Sequence, residues 1–488
     1  MNEPHEELNK DNAWTEIIPP LLAAVRETNP TRPVIIGPPF WNGMWALGKF
    51  QLPSDPNLIV TVHYYNPFKF THQGAHWVKD SQPWLGTKWT GNEKELAEVT
   101  KEFDATAAWA KENKRPIYLG EFGAFSKADD ESRARWTKAI TSEAEKHALL
   151  SDAALALDHL EAVIQREGID CAYVRSGRFM GAFTPAHFTQ LEKSCDALNA
   201  HAKAGAKMLP RARQREEMAS DFYFGGMVVE RSGRLHPAKY YGGLLAAAER
   251  AGAILVAETP VTQVERVAGG WRVTTPRGEV AAERIFVGSN GYTGAATPAL
   301  RRRIIPVASH MIATEELDSA LAASLIPRGR TLAETKRVLC YYRLSPDGRR
   351  VLFGGRPRFT QVAPETSARL LHALMVERFP QLAGTRITHN WMGNLAFSFD
   401  QLPHMGELDG LYYAMCCNGS GVAMLGWLGH QCARKMLGGG NRVNAFDGRP
   451  FPGQAFYDGN PWFLPIVGAW YRHLDRRDRK AGERVTTR

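Results

Sequence analysis

Up to about residue 150, short apolar runs alternate with stretches whose apolar positions recur every three or four residues. The runs RPVIIGPPFW (32–41), NLIVTVHYYNP (57–67) and RPIYLGEFGAF (115–125) begin in β-branched residues and end in polar, aromatic or glycine residues. That is the pattern of strands buried in a parallel sheet. Residues 14–28, 93–113 and 131–147 carry helical spacing, and repeated strand and helix predicts an α/β architecture.

Beyond residue 150 the pattern changes. A helical stretch at 153–167 is followed by strand patterns in AILVAETPVTQVERV (253–267) and GWRVTTPRGEVAAERIFVGSN (270–290), and later by a glycine turn running into a helix. This predicts α+β organisation with mixed sheets. The junction KAITSEAEKHALLSDAALALDHLEAVI contains no Pro, Gly or Ser-rich linker, so one helical pattern runs into the next. The division expected is 1–149 and 150–488.

A chain of 488 residues with 44% hydrophobic and 23% charged content reads as a globular protein of two or three domains. It contains no apolar run long enough for a membrane span and no signal-peptide pattern, so a cytoplasmic protein without a membrane partner is expected. Six cysteines lie scattered without CxxC or Cys/His spacing, which predicts reduced thiols and no metal. Of the net charge of +9, residues 472–488 supply +4, with seven basic and three acidic side chains. The expectation is a frayed, solvated tail and no nucleic-acid partner.

Three motifs stand out in the first part: Asn2-Glu3-Pro4-His5, His63-Tyr64-Tyr65 and Gly120-Glu121-Phe122-Gly123. Catalytic groups of a parallel barrel sit at the C-terminal ends of strands, where His63, Tyr65 and Glu121 all fall. Two glutamates meeting there could serve as the acid/base and nucleophile of a retaining glycosidase. His63 and Tyr65 would add hydrogen bonds, and Trp41 or Trp77 a flat face for a sugar. Taken together with VHYYNPFKFTHQGAHW, these motifs resemble glycoside hydrolase family 5, the cellulase and endoglucanase family. The resemblance implies a partial (β/α)8 barrel acting on β-glucan, with Glu3 as acid/base, Glu121 as nucleophile, and Asn2, His63, Tyr65 and Trp41 binding substrate. About three of the family's eight strands are expected.

In the second part no GxGxxG follows a strand pattern. Instead, Asn418-Gly419-Ser420-Gly421-Val422 lies between DGLYYAMCC and the helical run LGWLGHQCARKML. Glycines there let the backbone approach a ligand, and the helix N-terminus offers free N–H groups. With HPAKYYGGLLAAAERAG, the strand patterns at 253–290 and WMGNLAFSFDQLPHMG, this resembles the FAD-dependent oxidoreductases of the D-amino-acid oxidase superfamily, in particular the branch oxidising glutamylputrescine and similar amines. The resemblance implies FAD as cofactor and a small-molecule amine as substrate. It places Val261 near the nucleotide end, Asn290 and Gly291 at the end of a flavin-domain strand, and Gly419, Ser420, Gly421 and Val422 at the flavin ring. The family's opening dinucleotide fingerprint has no counterpart here. Tyr341, Tyr342, Arg343, Arg356 and His404 are substrate-facing candidates with equally good structural roles, and Cys416 and Cys417 read as buried small hydrophobes.

Three readings stay open at this point: a fusion-like chain of two enzyme fragments with little activity, a working FAD-dependent amine oxidase, or a glycoside hydrolase.

Overall fold

The computed structural model describes residues 3–10, 13–440 and 443–486, without side chains beyond residue 483. It divides into two compact units, Met1–Ser151 and Asp152–Arg488. Among the described residues, no helix is long and apolar enough to cross a membrane.

The first unit holds the strands β1 (Val34–Ile36), β2 (Leu58–Tyr64) and β3 (Ile117–Phe122). Its helices are α1 (Ala13–Thr28), α2 (Phe68–Thr71), α3 (Glu93–Asn113) and the beginning of α4 (Asp130–Glu167). The sheet order is β1-β2-β3, with both pairings parallel. β2 is central, and its Leu58, Val60, Val62 and Tyr64 are buried as the alternation requires. Helix residues four apart cover the sheet: Trp14 and Ile18 from α1, Val99 and Phe103 from α3, Trp136 and Ile140 from α4. Asn92 caps α3 in a capping box with Glu95. Among the described residues, β1 and β3 are each paired on one side only. The sheet is therefore unclosed, a remnant of a (β/α)8 arrangement.

The helical patterns at 131–147 and 153–167 form one helix, α4, with the unit boundary inside it. In the first unit Trp136 and Ile140 enter the core. In the second unit Leu160 and Val163 pack against Ile169, Leu235 and Tyr240.

The second unit contains β4 (Arg178–Gly181), β5 (Ala206–Leu209), β6 (Gly226–Val229), β7 (Gln263–Val267), β8 (Gly270–Thr275), β9 (Gly278–Ala282) and β10 (Phe286–Val287). These are followed by β11 (Ile305–Thr314), β12 (Thr331–Glu334), β13 (Cys340–Leu344), β14 (Val351–Gly355), β15 (Ile387–Phe397), β16 (His404–Leu408) and β17 (Leu411–Met415). Its helices are α5 (Pro185–Ala202), α6 (Pro237–Arg250), α7 (Pro298–Arg301), α8 (Ser319–Leu325), α9 (Pro364–Arg378), α10 (Gly421–Met436) and α11 (Leu464–Thr486).

An eight-stranded sheet, β15-β11-β14-β13-β12-β4-β6-β5, is antiparallel except where β12 meets β4. Its core gathers Phe179, Tyr223, Tyr342, Phe353, Leu371, Met375 and Phe379. A second sheet, β10-β17-β16, pairs β10 with β17 in parallel, and β7-β8-β9 form an antiparallel meander. This is the mixed α+β organisation expected.

Two local expectations fail. The run from 253 to 261 is not a strand: Ile254 is 90% exposed, and pairing begins only at Gln263. A continuous apolar strand needs neighbours on both sides, and β10, which pairs with β17 alone, offers only two residues of ladder. The basic tail is not frayed over its described length, since it forms most of α11. Asp475 accepts from the backbone N–H of Arg337 (3.1 Å) and of Val338 (3.0 Å). Arg479 donates to the Phe222 carbonyl (2.8 Å) and lies over the Phe222 ring at 4.9 Å. Charges that read as solvent-facing in the sequence are thus tied to distant segments.

Candidate functional site

In the first unit the β2–β3 ladder decides the geometry. A register shift after Val62 sets His63 directly opposite Glu121. His63 is buried, its backbone N–H donates to the Asn42 carbonyl (2.8 Å), and the Asn42 side-chain amide lies 3.3 Å from its Nε2. Phe40, Trp41 and Asn42 all have left-handed backbone angles, a tight turn that brings the chain back beside β2. Residues 3–9 are held to this turn, as the Trp41 N–H donates to Pro4 (3.1 Å) and the Phe40 N–H to the Asn9 side chain (2.7 Å). Glu3 thereby reaches the strand ends from an irregular segment rather than from a strand.

The Glu3 carboxylate lies 2.8 Å from His63 Nδ1, and Glu121 Oε2 lies 3.6 Å from the same nitrogen. One carboxylate oxygen each from Glu3 and Glu121 and the His63 ring nitrogen all fall within 4.8 Å of one another. The Tyr65 hydroxyl donates to Glu121 Oε2 at 3.1 Å. Burial and then this hydrogen bond push the Tyr65 phenol up to about 12, so it stays protonated and donating at neutral pH. The Glu3 and Glu121 side chains are 32% and 39% exposed, open to a substrate. Trp41, half exposed, stacks on His5 with centroids 5.2 Å apart, and Trp77 packs edge-on against Phe125. Asn2 lies outside the described residues. The sequence reading missed Asn42, because its role comes from a turn that no spacing rule announces.

In the second unit the chain leaves β17 through Cys416, Asn418 and Gly419, each at positive φ, before α10 begins at Gly421. The turn is braced. Asn290 Oδ1 accepts from the Cys416 N–H (3.0 Å), and the Asn418 side chain accepts from the Ser398 N–H (3.2 Å) while donating to the Cys416 carbonyl (2.8 Å). Gly291 sits so close to β15 that a Cβ would lie 2.5 Å from the Asn394 carbonyl oxygen. Gly419 combines φ +100° with the Arg356 guanidinium 3.0 Å from where a Cβ would stand. Gly419, Ser420 and Val422 are exposed, and among the described residues no side chain caps the N-terminus of α10.

Arg356 follows β14, with its guanidinium 4.8 Å over the Phe397 ring. Its Nε is buried without a hydrogen-bond partner among the described residues, and burial pushes its pKa below the ordinary arginine value. On β13 the alternation sends Tyr341 and Tyr342 to opposite faces. Tyr341 hydrogen-bonds Ser309. Tyr342 enters the core beside Tyr223. Arg343 donates to the Leu235 carbonyl (2.9 Å), and His404 is buried between Asp400 (2.9 Å) and the Phe451 ring. Arg356 is therefore the candidate placed at the glycine turn, whereas Tyr342, Arg343 and His404 serve the scaffold. Val261 lies exposed in the irregular segment before β7. All six cysteines are buried, Cys416 and Cys417 included.

A family model described as FAD dependent oxidoreductase matches residues 123–435, and one described as cellulase (glycosyl hydrolase family 5) matches residues 1–151. The chain belongs to the FAD dependent oxidoreductase family, and its N-terminal region is cellulase-like; both regions are partial. It is 30% identical over 321 residues to gamma-glutamylputrescine oxidoreductase of Escherichia coli (strain K12), covering 65% of this chain and 74% of that protein. It is 38% identical over 144 residues to endoglucanase H of Acetivibrio thermocellus, covering 30% of this chain and 15% of that protein. The crystal structure of an endoglucanase from the hyperthermophilic Thermotoga maritima is 47% identical, covering 30% of this chain and 47% of its own, with a TM-score of 0.29. The chain thus spans less than half of these endoglucanases.

Proposed function

We propose that the first unit carries a retaining glycosidase pair directed at β-glucan, with Glu121 as nucleophile and Glu3 as acid/base. The observation that carries this reading is the approach of both carboxylates to one imidazole nitrogen, with the two oxygens and that nitrogen all inside 4.8 Å of one another. A retaining mechanism needs carboxyl groups about 5 Å apart, whereas inversion needs room for a water and a separation of about 6.5 Å or more. Glu121, held by the Tyr65 hydroxyl, attacks the anomeric carbon while Glu3 protonates the leaving oxygen. Glu3 then takes a proton from water, which releases the sugar from Glu121. His63, hydrogen-bonded to Glu3, fixes the acid/base, and Trp41 and Trp77 offer stacking faces. The test is reducing-sugar release from a β-glucan by the full chain. Glu121→Gln is expected to abolish it, and release that survives this substitution refutes the assignment.

A second reading is favoured by Arg356. Its buried Nε, without a hydrogen-bond partner among the described residues, and the open cradle at Gly419 fit the ring end of FAD, which Gly419, Ser420, Gly421 and Val422 would hold beside the N-terminus of α10. FAD, when bound, accepts a hydride from the carbon bearing an amine. The side chains here would orient that carbon, with Arg356 and Tyr341 binding polar substrate groups. Asn290 and Gly291 set the turn that braces the cradle, and Val261 would stand toward the nucleotide end. Flavin absorbance co-purifying with the chain and lost in Gly419→Val supports this reading, and a colourless protein that takes up no added FAD refutes it.

A further inference from the structure

We propose that Glu3, His63 and Glu121 form a three-ligand site for a divalent transition-metal cation of the zinc class. Zinc bonds to nitrogen and oxygen of 2.0–2.1 Å in a tetrahedron require ligand atoms about 3.3 Å apart. The two separations, 2.8 Å from Glu3 to His63 Nδ1 and 3.6 Å from that nitrogen to Glu121, bracket that edge. The third separation lies within 4.8 Å, and rotation of two carboxylates that are a third exposed closes it.

The division of mobility suits capture. His63 is fixed by the β2–β3 register and by Asn42, so one ligand is preorganised. The carboxylates are a third exposed, and a four-coordinate ion held by three side chains takes water as its fourth ligand. One imidazole with two carboxylates favours zinc over magnesium or calcium, which take oxygen ligands alone. The Tyr65 hydroxyl on Glu121 is an outer partner of the kind that orients a ligating carboxylate.

Proton balance is simple. With Nδ1 bonded to the metal, the single proton of neutral imidazole moves to Nε2, and Asn42 turns its amide to present oxygen there. Two carboxylates and a neutral imidazole then balance the charge of the cation, and the proton that Glu3 carries as general acid leaves to solvent as the metal binds. The consequence for catalysis rests on the glycosidase reading: a bound cation ties up nucleophile and acid/base together and inhibits hydrolysis. Capture of the cation does not depend on that reading.

The experiment is calorimetric titration of the full chain with zinc chloride at pH 7.5, repeated on Glu3→Gln and Glu121→Gln. The native chain is expected to show a zinc-binding step that weakens by about 100-fold or more in each variant, beyond the loss seen when only an outer partner of a metal is removed. Cobalt(II) added in place of zinc is expected to give the visible d–d absorption of a four-coordinate ion, absent from both variants. Should a glutamine variant fail to fold by circular dichroism, Glu3→Asp reads the same site, because its shortened carboxylate retracts from the cation and weakens binding. The proposal is overturned if the native chain shows no zinc step, or if that step keeps its affinity in the folded variants. Sugar release measured with chelator present tests hydrolysis separately, so failure of one leaves the other decided on its own data.

Discussion

Replacing Arg378 by methionine tests the account of the eight-stranded sheet. Arg378 and Glu334 side chains are both 0% exposed. The guanidinium donates to Glu334 from Nε (3.0 Å) and twice from Nη2 (2.8 and 3.1 Å). Glu334 also accepts from the Tyr223 hydroxyl (2.6 Å) and the Cys340 N–H (2.8 Å), with the Lys336 ammonium at 3.3 Å. Burial alone would raise the Glu334 pKa, but Arg378, Lys336 and Tyr223 outweigh it and hold the carboxyl at about 2, against an ordinary 4.5. That difference corresponds to roughly 3 kcal/mol. Because the folded-state value is depressed, the contribution is fully present above about pH 4.5 and is lost as pH falls toward 2. Removing Arg378 leaves a buried carboxylate short of its main counter-charge, for which a cost of about 3–5 kcal/mol is expected. Hydrogen exchange read by mass spectrometry on peptides across 331–355 measures the loss in this unit alone. The double variant Glu334→Leu/Arg378→Met removes both charges and is expected to recover most of it. A loss below about 1 kcal/mol in Arg378→Met, or a double variant no more stable than Arg378→Met, refutes the reasoning.

Two further substitutions probe backbone geometry. Gly291→Ala pushes a Cβ against the Asn394 backbone, which cannot rotate away, so a loss of about 1–3 kcal/mol is expected, read as faster exchange across 387–397. Asn92→Ala removes an oxygen that accepts from the N–H groups of Lys94 and Glu95, both at 3.0 Å. About 0.5–2 kcal/mol is expected at the start of α3, and unchanged exchange there would contradict the capping role.

Legibility in the sequence followed the range of the interactions. β2 and β3 are readable because apolar runs ending in HYY and GEF need only local pattern, and α3 begins at Glu93 because Asn92 and Glu95 declare the cap. The glycine turn after β17 is readable for the same reason: positive φ at Gly419 is a demand on one residue. The run at 253–261 misleads, since an apolar run becomes a strand only if a sheet offers it an edge. The tail misleads in the opposite sense, because Asp475 and Arg479 find partners at Arg337, Val338 and Phe222, far back in the chain.

The sequence by itself determined that two kinds of architecture follow one another and which motifs each carries, because strand and helix periodicity, caps and glycine turns are written within a few residues. Tertiary structure alone decided that Glu3 meets Glu121 across His63, that Arg356 rather than Arg343 faces the glycine turn, and that Glu334 and Arg378 are buried as a pair. Those outcomes depend on strand register and long-range pairing, where a shift of one residue turns every side chain to the other face.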